Sequence, residues 1–235
     1  MASKAPSAVQ SMFAEVPATY EFVNHILTLG LDVLWRRRAA RIAAKAGGTQ
    51  WVDMCTGTGE TAVYLSRLAP QGTKIYGIDF SDAMMEKART KPQAAGISFV
   101  QADIKALPFD DASFDLITMS FATRNINLSK NILVRSFAEY YRVLKPGGRF
   151  VNLETSRPPS ALVRKCFDLY VKLFVERLGR RISGARTAYA YLAGTIPRFY
   201  GAEDLAAIMR EAGFERVTFQ RLMFGAAAVH QAVKS

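Results

Sequence analysis

The run Trp51-Val52-Asp53-Met54-Cys55-Thr56-Gly57-Thr58-Gly59-Glu60 decides how the rest of the chain reads. Its first half is an apolar β-type segment, two glycines follow, and a helical stretch continues from Glu60 to Leu68. Glycines between a strand and a helix allow a sharp turn and bring the backbone close to a ligand. Outward from this unit the alternation repeats. Lys74 to Asp79 reads as a strand, Ser81 to Arg89 as a helix capped by Ser81, Ile97 to Gln101 as a third strand and Phe114 to Ser120 as a fourth. A helix from about Leu128 to Leu144 should stop at Lys145-Pro146-Gly147-Gly148, with a fifth strand over Arg149 to Glu154. A last helix over Ala202 to Ala212 precedes two strands, Arg216 to Leu222 and Ala226 to Val233, which should pair as a hairpin. Strands alternating with helices predict an α/β parallel sheet covered by helices.

The 235 residues, 50% hydrophobic and 22% charged, suffice for one large core, so the whole chain, residues 1–235, reads as a single domain. Residues 1–46 form an appended N-terminal helical segment. Residues 158–197 interrupt the alternation with helical stretches rich in Phe, Tyr, Leu and Arg, and read as an inserted cover. No apolar run approaches the ~20 residues a spanning helix needs, and Met1 to Gln10 lacks the apolar stretch of an export signal. A soluble, cytoplasmic protein is therefore expected. Cys55 and Cys166 stand far apart, as do His25 and His230, so neither a disulfide framework nor a metal site is expected. A net charge of +11 attracts polyanions without choosing among RNA, an anionic membrane surface and an acidic substrate. Nothing in the sequence fixes an oligomeric state.

Asp79 ends the second strand about twenty residues beyond the glycine loop, where doubly wound folds hold the hydroxyls of a ribose. Asp103 follows the third strand and is placed to accept an adenine amino group; a helix cap or a solvated loop acid is its alternative. With Asp53, these acids are expected along one crevice edge, above Gly57 and Gly59. The loop lacks Gly-Lys-Ser/Thr, and Glu60 opens the helix with a charge that repels pyrophosphate. A nucleoside without phosphates, S-adenosylmethionine, fits this pattern.

The stretch from Arg142 to Ser156 (Arg-Val-Leu-Lys-Pro-Gly-Gly-Arg-Phe-Val-Asn-Leu-Glu-Thr-Ser), together with Leu107-Pro108-Phe109-Asp110, Ser113-Phe114-Asp115 and Arg124-Asn125, resembles the C-methyltransferases of ubiquinone and menaquinone biosynthesis. These are class I S-adenosylmethionine-dependent methyltransferases with a seven-stranded, Rossmann-like sheet. The stretch from Tyr20 to Trp35 matches the family's other signature at Tyr20, Asn24, Gly30 and Trp35 but carries Glu21, Thr28 and Asp32 where Asp, Ser and His are usual; Ala122-Thr123 replaces Gly-Leu. The resemblance implies a quinol acceptor and adds Thr61, Ile104 and Ser120 to the cofactor contacts. Cys55 stands where many methyltransferases carry Gly.

Methylating an aromatic carbon requires electron density there, which deprotonating an ortho phenol supplies. A phenol with a pKa near 10 needs help to ionise at neutral pH. Arg124 and Asn125 are the first candidates: a permanent cation stabilises phenolate, and the amide orients a water. The alternative for Arg124 is a salt bridge to Asp103 or Glu154. Tyr20 is a candidate to close over the acceptor, and His25 is a base by type or a surface residue. Arg157, Arg164, Lys165, Lys172, Arg177, Arg180, Arg181 and Arg186 surround Phe167, Leu169, Tyr170, Leu173 and Phe174. This composition suits either peripheral contact with the inner face of a membrane, admitting a prenylated quinol, or a solvated helix packing its apolar stripe. Arg36-Arg37-Arg38 reads as the charged end of a helix. Competing functions are methylation of another phenolic or lipid-like acceptor and a non-catalytic subunit of a quinone-synthesis assembly. RNA methylation is disfavoured, because Ser120-Phe121-Ala122-Thr123 is not an Asn-Pro-Pro-Tyr type motif and no nucleic-acid-binding module is appended.

Overall fold

The computed structural model describes residues 25–26, 28–127, 129–175 and 193–235. Seven strands form one sheet: β1 (Gln50–Met54), β2 (Lys74–Asp79), β3 (Ile97–Gln101), β4 (Phe114–Ser120), β5 (Leu144–Thr155), β6 (Arg216–Leu222) and β7 (Ala227–Val233), in the order β3-β2-β1-β4-β5-β7-β6. β1 to β5 are mutually parallel, and β7 runs antiparallel to both β5 and β6. The order reverses between β1 and β4, which opens a crevice at the carboxyl ends of the central strands, the usual ligand position in such sheets.

Alternation along the strands divides two cores. Val52, Met54, Ile117, Met119 and Phe150 face α5 (Lys130–Val143) and α7 (Ala202–Glu211), where Phe137, Tyr140 and Met209 are fully buried. Trp51, Leu116, Val151 and Leu153 face α1 (Leu31–Ala43) and α2 (Glu60–Leu68), meeting Ala39, Ala40, Ala43 and Leu65. Period-two side chains thus cover both faces of a buried sheet. α3 (Asp82–Arg89) begins where the Ser81 hydroxyl accepts the Met84 N–H, as its sequence implies. A short α4 (Thr123–Ile126) follows β4, and α6 (Ala161–Tyr170) follows β5 and continues as a π-turn over Val171–Val175.

One boundary differs from the sequence expectation. β5 begins at Leu144, before the Lys-Pro-Gly-Gly turn, because Leu144 already pairs with Phe114 and Lys145 to Gly148 then bulge out before Arg149 pairs with Leu116. A Cβ on Gly148 would lie 2.8 Å from the Lys145 carbonyl oxygen, so the bulge requires glycine there. The bulge also holds the chain end: the Gly147 N–H donates to the Lys234 carbonyl, and the Lys234 N–H donates to that of Gly148. Much of the motif content outside the crevice is structural. Arg142 donates to Glu139, Asp111 and the Phe109 carbonyl, while Lys145 bridges both oxygens of Asp115 at 2.9 Å. The expected cover, residues 158–197, is described through α6 and from residue 193 onward, and the N-terminal segment from residue 25. Tyr20, Glu21, Asn24, Arg177, Arg180, Arg181 and Arg186 lie outside the described residues.

Candidate active site

Two cavities open at the carboxyl end of the sheet. The first, about 140 Å³, lies over the β1–α2 loop and is lined by Cys55, Thr56, Gly57, Thr58, Glu60, Asp79, Asp103, Ile104, Ser120, Ala122 and Asn125. Gly57 has φ +54°, and a Cβ there would meet only the Met84 methyl at 3.5 Å, so the space over its Cα belongs to the cavity. Asp79 is anchored by backbone donors: the Gly57 N–H to Oδ2 at 2.8 Å and the Ser81 N–H to Oδ1 at 2.9 Å. Burial pushes its carboxyl above the ordinary range, and these N–H groups pull it back. Asp103 is exposed at the rim, with Oδ1 accepting the Lys105 N–H.

Three expected cofactor contacts stand behind the cavity instead of on its wall. Asp53 is 2% exposed, its oxygens taken by the hydroxyls of Thr118 at 2.6 Å and Thr56 at 2.8 Å. The pleat explains this: the acid at the end of β2 reaches the loop, whereas Asp53 points between β1 and β4. Burial raises its carboxyl to about 6 despite both hydroxyls. The Thr61 hydroxyl donates to Ser120 Oγ at 3.0 Å and supports it from below. Gly59, at φ +79°, makes the turn and packs so closely that a Cβ would sit 3.0 Å from that of Ala88.

The second cavity, about 410 Å³, lies on the side of α1 and α6 and is almost wholly apolar, walled by Leu29, Trp35, Phe167, Tyr170, Val171, Ile196, Met223 and Phe224, with Thr28, Asp32 and Arg124 as polar groups. Arg36 and Phe121 line both cavities, so they form the partition between them. The Arg36 guanidinium lies over the Phe121 ring at 4.9 Å, and Trp35 flanks that ring at 6.4 Å. Its Nε stands 3.3 Å from Glu60 and 3.9 Å from Asp32. Arg36 is thus a buried site residue and not the solvated helix end that the Arg36-Arg37-Arg38 run suggests. Its neighbour Arg38 does fit that reading, reaching out to Gln220.

Strained backbone gathers here. Non-glycine residues at positive φ are Leu29, Cys55, Phe121, Met223 and Phe224, all lining a cavity, and Ala112. Each such residue costs about 1–3 kcal/mol and persists where its surroundings over-determine it. Cys55, at φ +51°, keeps the backbone that glycine would adopt, and burial pushes its thiol well above the ordinary range.

Arg124 lines the second, apolar cavity and is 7% exposed. Its guanidinium donates to Thr195 Oγ1 at 3.2 Å, and among the described residues no carboxylate pairs with it. Glu154 instead accepts the backbone N–H of Arg124 at 3.1 Å, so neither salt bridge of the alternative reading forms. Asn125 lines the first cavity, and its buried Oδ1 has no hydrogen-bond partner among the described residues. Of the departures from the family pattern, Thr28 and Asp32 line the second cavity and Ala122 the first, but Thr123 is fully buried and donates to Asn152. The sequence reading also missed a cluster: His25, Asp32 and Glu60 bring three ligand-type atoms within 4.8 Å of one another. The spacing of the histidines hid it, because the carboxylates come from two different helices.

Comparison with known proteins agrees with this geometry. The model of the ubiE/COQ5 methyltransferase family matches residues 1–234. A demethylmenaquinone methyltransferase of Thermus thermophilus is 39% identical over 221 residues, 93% of this chain and 98% of the relative. A ubiquinone/menaquinone biosynthesis C-methyltransferase of Desulfotalea psychrophila is 37% identical over 232 residues, 99% and 92% of the two chains. Among solved structures, a SAM-dependent methyltransferase from Aquifex aeolicus superposes with a TM-score of 0.59 at 18% identity, covering 84% of this chain and 89% of that one. An O-methyltransferase family protein from Burkholderia thailandensis gives 0.66 at 13% identity, covering 93% and 60%. The sheet order, the glycine loop with its strand-end carboxylate, and a match over nearly the whole length lead to one conclusion: this chain belongs to the ubiE/COQ5 methyltransferase family.

Proposed function

We propose that this protein is an S-adenosylmethionine-dependent C-methyltransferase that methylates the ring of a prenylated quinol. The observation that carries this reading is the pair of cavities meeting at Arg36 and Phe121: a small polar one with a nucleoside-type carboxylate, and a larger apolar one lined by a buried Arg124 that pairs with no carboxylate among the described residues. The residues of the first fit the cofactor. Gly57 leaves room for its methionine portion, Asp79 offers acceptor lone pairs to ribose hydroxyls, Asp103 and Ile104 flank the adenine, and Ser120, braced by Thr61, completes the wall. When bound, the cofactor supplies a methyl group already attached to a good leaving group, so this chain needs no covalent intermediate.

The chain's own part is to hold the acceptor and raise its electron density. Phe121 separates the two ligands except at the point of transfer, and the apolar wall aligns the ring carbon with that point. Arg124 stabilises the phenolate: a buried cation acts on developing charge far more strongly than one in water. Asn125, with its free Oδ1 on the cofactor side, orients a water or the acceptor hydroxyl.

The rim of the acceptor cavity explains how a lipid tail is accommodated. Leu29 is 82% and Phe224 77% exposed, with Met223 beside Phe224 in the same strained turn, while Lys165 and Lys172 stand exposed on the α6 side. Apolar tips within a basic surface suit peripheral docking on an anionic bilayer, from which the prenyl chain enters. No helix among the described residues is long and apolar enough to cross a membrane. The chain acts as a single domain, and the described part of the 158–197 segment, through Phe167, Tyr170, Val175 and Ile196, walls the acceptor cavity.

The test is transfer of labelled methyl from S-adenosylmethionine to reduced demethylmenaquinol and to demethylated ubiquinol analogues, with Arg124→Ala alongside. The expected result is turnover on a quinol that Arg124→Ala lowers by at least ~100-fold, the scale of losing one charge-stabilising group, with unchanged cofactor affinity. Tight cofactor binding without methylation of any quinol refutes the assignment.

A further inference from the structure

A group of charged side chains meets between the two cavities, and the roles assigned so far do not use it. Asp32 lines the acceptor cavity, Glu60 the cofactor cavity, and Arg36 both. His25 bridges the two carboxylates, with Nδ1 2.8 Å from Asp32 Oδ2 and Nε2 3.4 Å from Glu60 Oε1. The Thr28 hydroxyl donates to the other oxygen of Asp32 at 2.7 Å, which fixes the carboxylate. Arg36 balances Glu60 at 3.3 Å from Oε2. The imidazole is the most exposed member, at 32% of its side chain, against 3% for Asp32 and 15% for Glu60. The group therefore runs from the junction of the cavities to solvent. Its three ligand atoms would also suit a cation, but Arg36 already brings positive charge to both carboxylates, so proton traffic fits the arrangement better than a metal ion.

We propose that Glu60, His25 and Asp32 form the proton exit of the methyl transfer, an inference that rests on the phenolic acceptor assigned above. The acceptor O–H bond breaks, its electron pair stays on oxygen as phenolate, and the proton passes to the Glu60 carboxylate at the junction. From there it moves to His25 Nε2, whose lone pair faces Glu60 when Nδ1 carries the hydrogen donated to Asp32. The resulting imidazolium is held by Asp32 at Nδ1 and, with 32% of the side chain exposed, gives up the Nε2 proton to water. After methyl transfer the ring carbon loses its hydrogen as a proton and the oxygen regains one, so one proton leaves per turnover. Glu60 is the catalytic residue of this set, while His25 relays and Asp32 positions. The groups facing His25 among the described residues are Asp32 and Arg36 of α1 and Glu60 of α2.

The experiment measures methyl transfer to a short-chain reduced demethylmenaquinol from pH 5.5 to 9.5 in wild type, His25→Gln and Asp32→Asn, with the S-adenosylmethionine Kd of each. Loss of a positioned proton carrier is expected to lower kcat at pH 7 by about 100-fold in His25→Gln. Its rate should then climb with pH toward the phenol's own ionisation, and added imidazole should restore part of it. Asp32→Asn should lower kcat less, with the same change in profile, and each variant should keep its cofactor Kd within about threefold. A pH profile parallel to wild type in both variants, or a loss that imidazole does not relieve, overturns the proton exit alone. Failure of wild type to methylate any quinol overturns the functional assignment and this inference with it.

Discussion

Asp53→Asn separates a buried support from a cofactor ligand, and the structure sets the size of the effect. Burial raises the Asp53 carboxyl from its ordinary 3.8 to about 6. A pKa difference of one corresponds to about 1.4 kcal/mol, so keeping Asp53 ionised at neutral pH costs about 3 kcal/mol of folding stability. Between pH 4 and 6 the folded state binds more protons here than the unfolded state, so this contribution makes stability fall as pH rises. His230 acts in the opposite direction. It lies buried on β7, with Nε2 2.9 Å from the Ala202 carbonyl oxygen, and burial lowers it from 6.5 to about 4. The unfolded state then binds more protons between pH 4 and 6.5, and stability rises with pH by about 3 kcal/mol. The two contributions nearly cancel in wild type, and Asp53→Asn removes only the falling one. Asp79, also raised, is common to both proteins and drops out of the difference. In urea unfolding at half-unit steps from pH 4 to 7, the stability of Asp53→Asn relative to wild type is expected to climb by about 3 kcal/mol, while its S-adenosylmethionine Kd at pH 7 stays within a few-fold. A difference flat to about 0.5 kcal/mol, combined with a large loss of cofactor affinity, would refute the reasoning and make Asp53 a ligand.

Other consequences are open to direct measurement. Asp79→Asn should weaken S-adenosylmethionine binding by at least ~10-fold in calorimetry, because it removes charge-assisted acceptors and loosens the Gly57 turn that Asp79 holds. Gly59→Ala should lower Tm by several degrees in a thermal scan, since a left-handed residue costs about 1–2 kcal/mol and the new methyl meets Ala88 at 3.0 Å. Phe224→Asp should reduce co-sedimentation with anionic vesicles while leaving methylation of a short-chain, water-soluble quinol near the wild-type rate; unchanged sedimentation would remove the rim from the docking surface.

The sheet was legible because its signals are local. Strand-length apolar runs, the Ser81 cap and the paired glycines each act within a few residues, and the boundaries of β2, β3, β4 and α2 agree with the pattern. The β5 start was not legible, since Leu144 is recruited by pairing with Phe114 across a bulge, a non-local event that overrides the breaking power of Pro and Gly. Site legibility divides in the same way. Gly57, Asp79 and Asp103 follow from their places at or just past strand ends, while Ser120 came with the family resemblance; all four line the first cavity. Arg36 and His25 do not, because a basic run and an isolated histidine acquire meaning only when α1 packs against α2 and meets Glu60.

The sequence by itself determined the α/β sheet, the nucleoside-type crevice and, through its motifs, the methyltransferase family, since these are written in period, spacing and short-range chemistry. Tertiary structure alone decided which acids face a ligand and which brace the strands. Asp53 and Asp79 both end strands, yet the pleat buries one between Thr56 and Thr118 and turns the other toward the cavity. It also decided that Arg124 is buried with no carboxylate partner among the described residues, and that Arg36 and Phe121 stand between the two cavities. Burial and the side to which a residue points depend on what packs against it from far along the chain, and no local pattern carries that information.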